Sequence, residues 1–295
     1  MKRNIRTIYG NMLQVANQLG VPHRILERST LNEKFGVQAG IMPPASINPK
    51  LQYFVIGYGG HQGYMGTNGT YLSTAIDHQP DHAALYKHIP FVLREAGSDL
   101  SADQREKYRI RTIWTDDTTG KKYIAYWAKV LSMSNIIIES KKTVRDDVTG
   151  ALVPSDWAPD SNALNPQPPS LDTNNLDQVV TSSTFYSANA ELDLSLTALD
   201  CAELLNVARI MFKDEAYALV SEYGLVSGFD QVVTGDNATG GSIQYNEILG
   251  AQINNFLTNR GAAADDSDIG IECLVNYGAT EALVADNAIN ATFLK

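Results

Sequence analysis

The strongest constraint in the sequence is a turn. Asp116-Asp117-Thr118-Thr119-Gly120 separates two runs, Ile110–Trp114 and Lys122–Val130, that are rich in β-branched and aromatic residues. Such residues suit a pleated, half-buried surface, and an Asp-rich loop closing on glycine supplies the positive φ that a tight reversal needs. The stretch Tyr108–Leu131 is therefore predicted to be a β-hairpin. The same chemistry recurs at Asp146-Asp147-Val148-Thr149-Gly150, between residues 141–145 and 151–153, which predicts a second hairpin or ribbon. Short strands are also predicted at Leu51–Ile56 and Ile89–Leu93. Two antiparallel ribbons so close together commit the first half of the chain to an antiparallel β-rich lobe.

Helical spacing is sparser. Ile8, Met12, Val15 and Leu19 recur every three to four residues before Gly20 and Pro22, which predicts an amphipathic helix. Residues 27–50 have little period, and Met42-Pro43-Pro44 with Asn48-Pro49 favour extended or turn geometry. Further on, Ala190, Leu192, Leu194 and Leu196 alternate as in a half-buried strand. Thr197, with Asp200 three residues later, reads as the cap of a helix reaching about Phe212. Residues 216–226 fit a helix or a buried strand. Ile248, Leu249, Ile253, Phe256 and Leu257 predict a helix over Tyr245–Asn259, and residues 269–275 and 281–293 are expected to close the fold as strands.

Between these regions, residues 154–181 turn to Pro, Asn, Asp and Ser, with Pro159, Pro166, Pro168 and Pro169 and few apolar side chains in any period. The expected organisation is an α+β protein: an antiparallel β-rich N-terminal lobe (1–153), an extended linker or arm (154–181), and a mixed α/β C-terminal lobe (182–295). An arm of this composition suits a surface on a neighbouring subunit.

Charge narrows the function. Lys and Arg number 23 against 33 Asp and Glu, a formal net charge of -10. This argues against affinity won by neutralising phosphates, so sequence-specific nucleic-acid binding is not expected. Only 19% of residues are charged while 44% are hydrophobic. A surface this poor in charge suits one covered by partners. With no run of ~18 apolar residues and an amphipathic rather than apolar start, neither membrane insertion nor a signal core is expected. Cys201 and Cys273 lie far apart without metal-ligand spacing and are expected to be buried small hydrophobes.

The residues that earn a catalytic hearing are Asp77-His78-Gln79-Pro80-Asp81-His82, with His61 and His88, since imidazoles and carboxylates at this density can bind zinc or exchange protons. Pro80 breaks the helix that would set His78 and His82 on one face. Gly57, Gly59 and Gly60 miss the dinucleotide spacing because residue 62 is Gln62, and Asp265-Asp266-Ser267-Asp268 lacks the glycine and terminal glutamate of an EF-hand. There is no nucleophile elbow, Walker loop or zinc-protease helix. The expectation is a protein that is not an enzyme, with no catalytic, cofactor-binding or metal residues and no cofactor. The run Gly57–Gly66, where tyrosines alternate with glycines, reads instead as a contact loop. Arg94, Arg105, Arg109 and Arg111 form a basic strip suited either to internal ion pairs or to docking on a neighbour's acidic face.

Two segments carry a resemblance. His82–Arg94, containing Ile89-Pro90-Phe91-Val92-Leu93-Arg94, continues through Asp99-Leu100-Ser101 to Arg105, Tyr108, Arg109 and Arg111. A second segment begins at Ala202–Asn206 and reaches Ser221-Glu222-Tyr223-Gly224-Leu225-Val226-Ser227-Gly228. Together they resemble virion structural proteins of contractile-tailed bacteriophages. The resemblance implies a structural component of the particle, assembled in the host cytoplasm, forming a ring or collar in the neck or tail by contact with itself and with other virion proteins. The alternative it leaves open is a baseplate or fibre-attachment module facing the receptor.

Overall fold

The computed structural model describes residues 3–146, 148–166, 181–264 and 269–284. The chain opens with β1 (Arg3–Arg6), α1 (Ile8–Leu19), α2 (Leu31–Phe35), β2 (Lys50–Gly57), β3 (His61–Met65) and β4 (Tyr71–Ala75). It continues with β5 (His88–Ile89), β6 (Val92–Glu95), α3 (Ala102–Arg105), β7 (Tyr108–Thr115), β8 (Lys122–Val130), β9 (Ile138–Arg145), β10 (Leu152–Asp156) and α4 (Ser161–Leu164). It closes with β11 (Thr181–Asp193), α5 (Ala198–Met211), β12 (Leu219–Asp236), β13 (Ser242–Ala263) and β14 (Leu274–Val284). The protein is strand-rich and its sheets are antiparallel, within the α+β class.

Both predicted hairpins form, by one local mechanism. Asp116 accepts from the Thr118 amide at 2.9 Å, and Asp146 accepts from the Val148 and Thr149 amides at 2.9 and 2.7 Å. Gly120 and Gly150 then take φ of 70° and 68°, the left-handed backbone that only glycine adopts without strain. Thr197 caps α5 in a full capping box with Asp200, as its spacing predicts.

The chain divides into two compact units, residues 1–132 with 194–273, and residues 133–193 with 274–295. The sequence division at 153/154 and 181/182 does not coincide with these boundaries, because strand pairing between distant segments defines the units. In the second unit, β11 pairs with β9 on one side and β14 on the other, giving the order β10-β9-β11-β14. Of the expected linker, residues 154–156 lie in β10 and 161–164 in α4; residues 167–180 lie outside the described residues.

The first unit holds an eight-stranded sheet, β1-β13-β12-β2-β8-β6, with β5 on β2 and β7 on β8. Its centre is the long β12–β13 hairpin, around which Tyr53, Val55, Ile110, Val226, Ile253 and Phe256 form the core. The helix expected over Tyr245–Asn259 is overturned, since these residues lie within β13. Every residue from 247 to 258 is buried, so both faces of the strand lack the alternation that marks a half-exposed one. The ladder is also irregular between Leu225 and Val226 and between Ser227 and Phe229, which breaks period two. Of the ambiguous residues 216–226, Ala216 and Tyr217 lie in a 3-10 turn and residues 219–226 are strand.

Helix α1 forms where expected, with Thr7 accepting from the Gly10 amide at 3.0 Å and donating to the Ile253 carbonyl at 2.6 Å. Its orientation departs from the amphipathic pattern. The buried positions are Gly10, Leu13 and Ala16, whereas Ile8, Val15 and Leu19 are 47, 54 and 68% exposed. A Cβ on Gly10 would lie 2.7 Å from the Asn254 carbonyl oxygen, so close seating on β13 selects the side of the helix with glycine and alanine.

Candidate functional site

The first unit is organised around a carboxylate. Glu222 lies in β12 with its side chain fully buried. Its Oε1 accepts from the Gly59 and Lys87 amides, both at 2.9 Å, and its Oε2 accepts from the Tyr86 amide at 3.0 Å and lies 2.9 Å from His78 Nε2. Burying a carboxylate is costly unless its lone pairs are filled, and here each oxygen has two partners. A Cβ on Gly57 would sit 2.4 Å from the Lys87 carbonyl oxygen and 2.6 Å from Glu222 Oε1, and one on Gly60 would sit 2.5 Å from the Ser221 carbonyl oxygen. The glycine run is thus dense because backbone must pass close to β12. Gly57 and Gly60 are buried against β12, while Tyr58 and Gly59 between them are half-buried and line an open groove. The second half belongs to the β3–β4 hairpin, where Tyr64, Met65, Tyr71 and Leu72 are exposed.

The His78 ring stacks between Tyr86 and Phe256, with centroids at 4.2 and 3.8 Å and interplanar angles of 22° and 9°. Its Nδ1 lies 3.1 Å from His82 Nδ1, which also accepts from the Gln79 amide at 3.3 Å. The structure therefore brings His78 and His82 together but engages Asp77 and Asp81 through their carbonyls, which accept from the Tyr86 and Tyr9 hydroxyls. A ring covered on both faces and bonded at both nitrogens is a packing element that no substrate reaches. His88 accepts from the Leu85 amide at 3.0 Å, and burial, aided by Lys34 and His78, pushes its pKa down to about 3, so it stays neutral. Among the described residues no three His, Cys, Asp or Glu side chains are placed to share a metal ion.

The arginine strip is spent inside the chain. Arg94 makes a bidentate pair with Glu203, Arg109 pairs with Asp230 at 2.7 Å, and Arg111 pairs with Asp99 at 3.0 Å. Arg105 donates to the Leu100 carbonyl at 2.6 Å. Arg109 and Arg111 are buried, which corrects the reading of this strip as a docking face.

A groove opens beside the Glu222 cluster. It has a volume of about 560 Å³ and is lined by Tyr58, His61, Tyr86, Lys87, Tyr217 and Leu219 among others. Tyr58 meets Tyr217 and Phe212 edge-on, both at 5.3 Å, and Lys87 Nζ lies 5.4 Å from the Tyr58 ring centre. His61 Nδ1 is buried and has no hydrogen-bond partner among the described residues.

A second buried carboxylate holds a strained backbone. Ile110 has φ 56°, rare for a β-branched residue, and interrupts the β7–β8 ladder between Arg109 and Arg111. Glu247 accepts from the Ile110, Arg111 and Ile248 amides at 2.6, 3.1 and 2.9 Å. Burial raises its pKa to about 7 against the pull of those amides. Because the folded value exceeds the unfolded one, the folded state binds more protons between the two. Glu247's contribution to stability is then full below the unfolded value and is lost as pH rises through about 7. We expect thermal stability to fall over this range by up to ~3 kcal/mol from this group, at ~1.4 kcal/mol per pKa unit. Melting curves against pH should flatten in Glu247→Gln; an unchanged slope would assign the effect elsewhere.

Sequence reasoning missed Glu222 and Glu247. For Glu222 the signal was a lone carboxylate inside a run that is otherwise apolar, aromatic or small; Glu247, preceded by Gln244 and Asn246, carried no such signal. The two segments of the phage-like resemblance meet at the first of them, since Glu222 of one accepts from Tyr86 and Lys87 of the other. The model of a family of unknown function, DUF7208, matches residues 1–292. No curated protein and no solved structure matches the chain.

Proposed function

The chain belongs to that family of unknown function, and from this premise we propose that it is a non-enzymatic structural component of a tailed-phage virion, whose copies close into a ring or collar in the neck or tail. The observation that carries this reading is the outward apolar stripe of α1. Ile8, Val15 and Leu19 face away from the core, and Val21, Leu26, Met42 and Ile47 in the chain that follows are exposed as well. Apolar surface on a folded exterior marks an interaction site. The partners are further copies and other virion proteins, assembled in the bacterial cytoplasm, with no sequence-specific nucleic acid, membrane insertion or cofactor. No helix among the described residues is long and apolar enough to cross a membrane.

Light scattering on the purified chain, with electron microscopy of the same sample, is expected to give a closed oligomer, weakened by Val15→Glu and Leu19→Glu. A monomer at every concentration would overturn the ring. The exposed aromatics of the β3–β4 hairpin favour the second reading, a baseplate or fibre-attachment module. Particles grown without the protein separate the two: tails lacking filled heads place it in the neck, and incomplete tails at the baseplate.

A further inference from the structure

We propose that the tyrosine-lined groove of the first unit receives residues 154–166 of a second copy. This rests on the self-assembly reading and names a second pair of surfaces, besides the α1 stripe, that meet between copies. Every residue from 151 to 166 is exposed on its own unit, including Trp157 at 39% and Leu164 at 86%. Ordered chain with two large apolar side chains in solvent is surface left for a partner. The segment carries Pro154, Pro159 and Pro166, two acidic residues, Asp156 and Asp160, and no Lys or Arg.

The groove has the complementary chemistry. Aromatic-lined grooves take proline-bearing segments because flat rings pack against pyrrolidine rings, and this segment, already ordered as the end of β10 and helix α4, has little entropy left to lose on docking. Tyr58, Tyr86 and Tyr217 supply the rings, and Leu219 and Ile76 supply apolar wall. Lys87 gives the groove a cation to meet Asp156 and Asp160, while the nearby Glu222 carboxylate has both oxygens engaged by amides. His61 lines the same groove, and its buried Nδ1 has no hydrogen-bond partner among the described residues. Joining one surface to a different surface on the next copy is a head-to-tail contact, the kind that generates rings.

The test mixes two variants of the full chain, Gln62→Cys in the groove and Ala158→Cys in the segment, under mild oxidation. The native Cys201 and Cys273 are buried. A disulfide joining the two variants is expected, with its yield reduced about tenfold by Lys87→Glu and retained by Lys87→Arg, since steering by a rim charge is lost on reversal. Oligomers by light scattering without the mixed disulfide would overturn this pairing and leave self-assembly standing. A disulfide formed within single doubly substituted chains at high dilution would also overturn it, placing the segment on its own groove. Monomers throughout, with no mixed disulfide, would remove both this pairing and the self-assembly reading.

Discussion

Glu222→Ala is expected to cost about 3–5 kcal/mol, the loss seen when one partner of a buried charged network is removed. Three amides, those of Gly59, Tyr86 and Lys87, and the His78 ring lose their acceptor together, in a place that water does not reach. Against a total stability of roughly 5–15 kcal/mol this leaves the first unit marginal. At about 2–4 °C per kcal/mol for a large domain, the melting temperature should fall by roughly 10 °C or more. Glu222→Gln keeps the shape and one acceptor oxygen and should lose less. If differential scanning calorimetry finds the alanine variant within about 1 kcal/mol of the parent, the carboxylate is not the organising group described here.

Phe256→Ala should be of similar size, about 3–5 kcal/mol, because it removes a fully buried aromatic side chain and leaves a cavity. It also uncovers one face of the His78 ring, which stacks on Phe256 at 3.8 Å. Phe256→Leu restores most of the volume but not the flat face, so comparing the two variants by chemical denaturation separates packing from stacking. Because both faces of β13 are buried, Leu257→Ala is also expected to cost about 2–5 kcal/mol. Equal losses would mean that both sides of the strand are core alike.

Parts of the fold were legible because their causes are local. The Asp-led turns at Asp116 and Asp146 bond their own next residues, and the Thr197–Asp200 box closes within one helical turn, so a short stretch of sequence contains all the participants. The extent of α1 was equally local, set by Thr7 and Gly20. Which of its sides is buried was not, because that depends on how near β13 approaches Gly10.

The site was less legible. The glycines of residues 57–60 were noticed, but the reason for them sits in β12, more than 160 residues along the chain, where Ser221 and Glu222 occupy the space a Cβ would need. The histidines were noticed as chemistry, and only the stack of Tyr86, His78 and Phe256 shows them to be structure. The arginines were noticed as a strip, and only their carboxylate partners at Asp99, Glu203 and Asp230 turn them inward.

By itself, then, the sequence determined the hairpins, the helix caps and an antiparallel β-rich α+β class, since turn and cap energies are settled among neighbours within about four residues. The tertiary structure alone decided that β13 is a strand, that each unit is built from two separate stretches of the chain, and that α1 shows its apolar stripe to solvent. Those outcomes depend on burial of both faces of a strand and on contacts closed over long loops, and a periodicity read along one segment carries no information about what will lie against it.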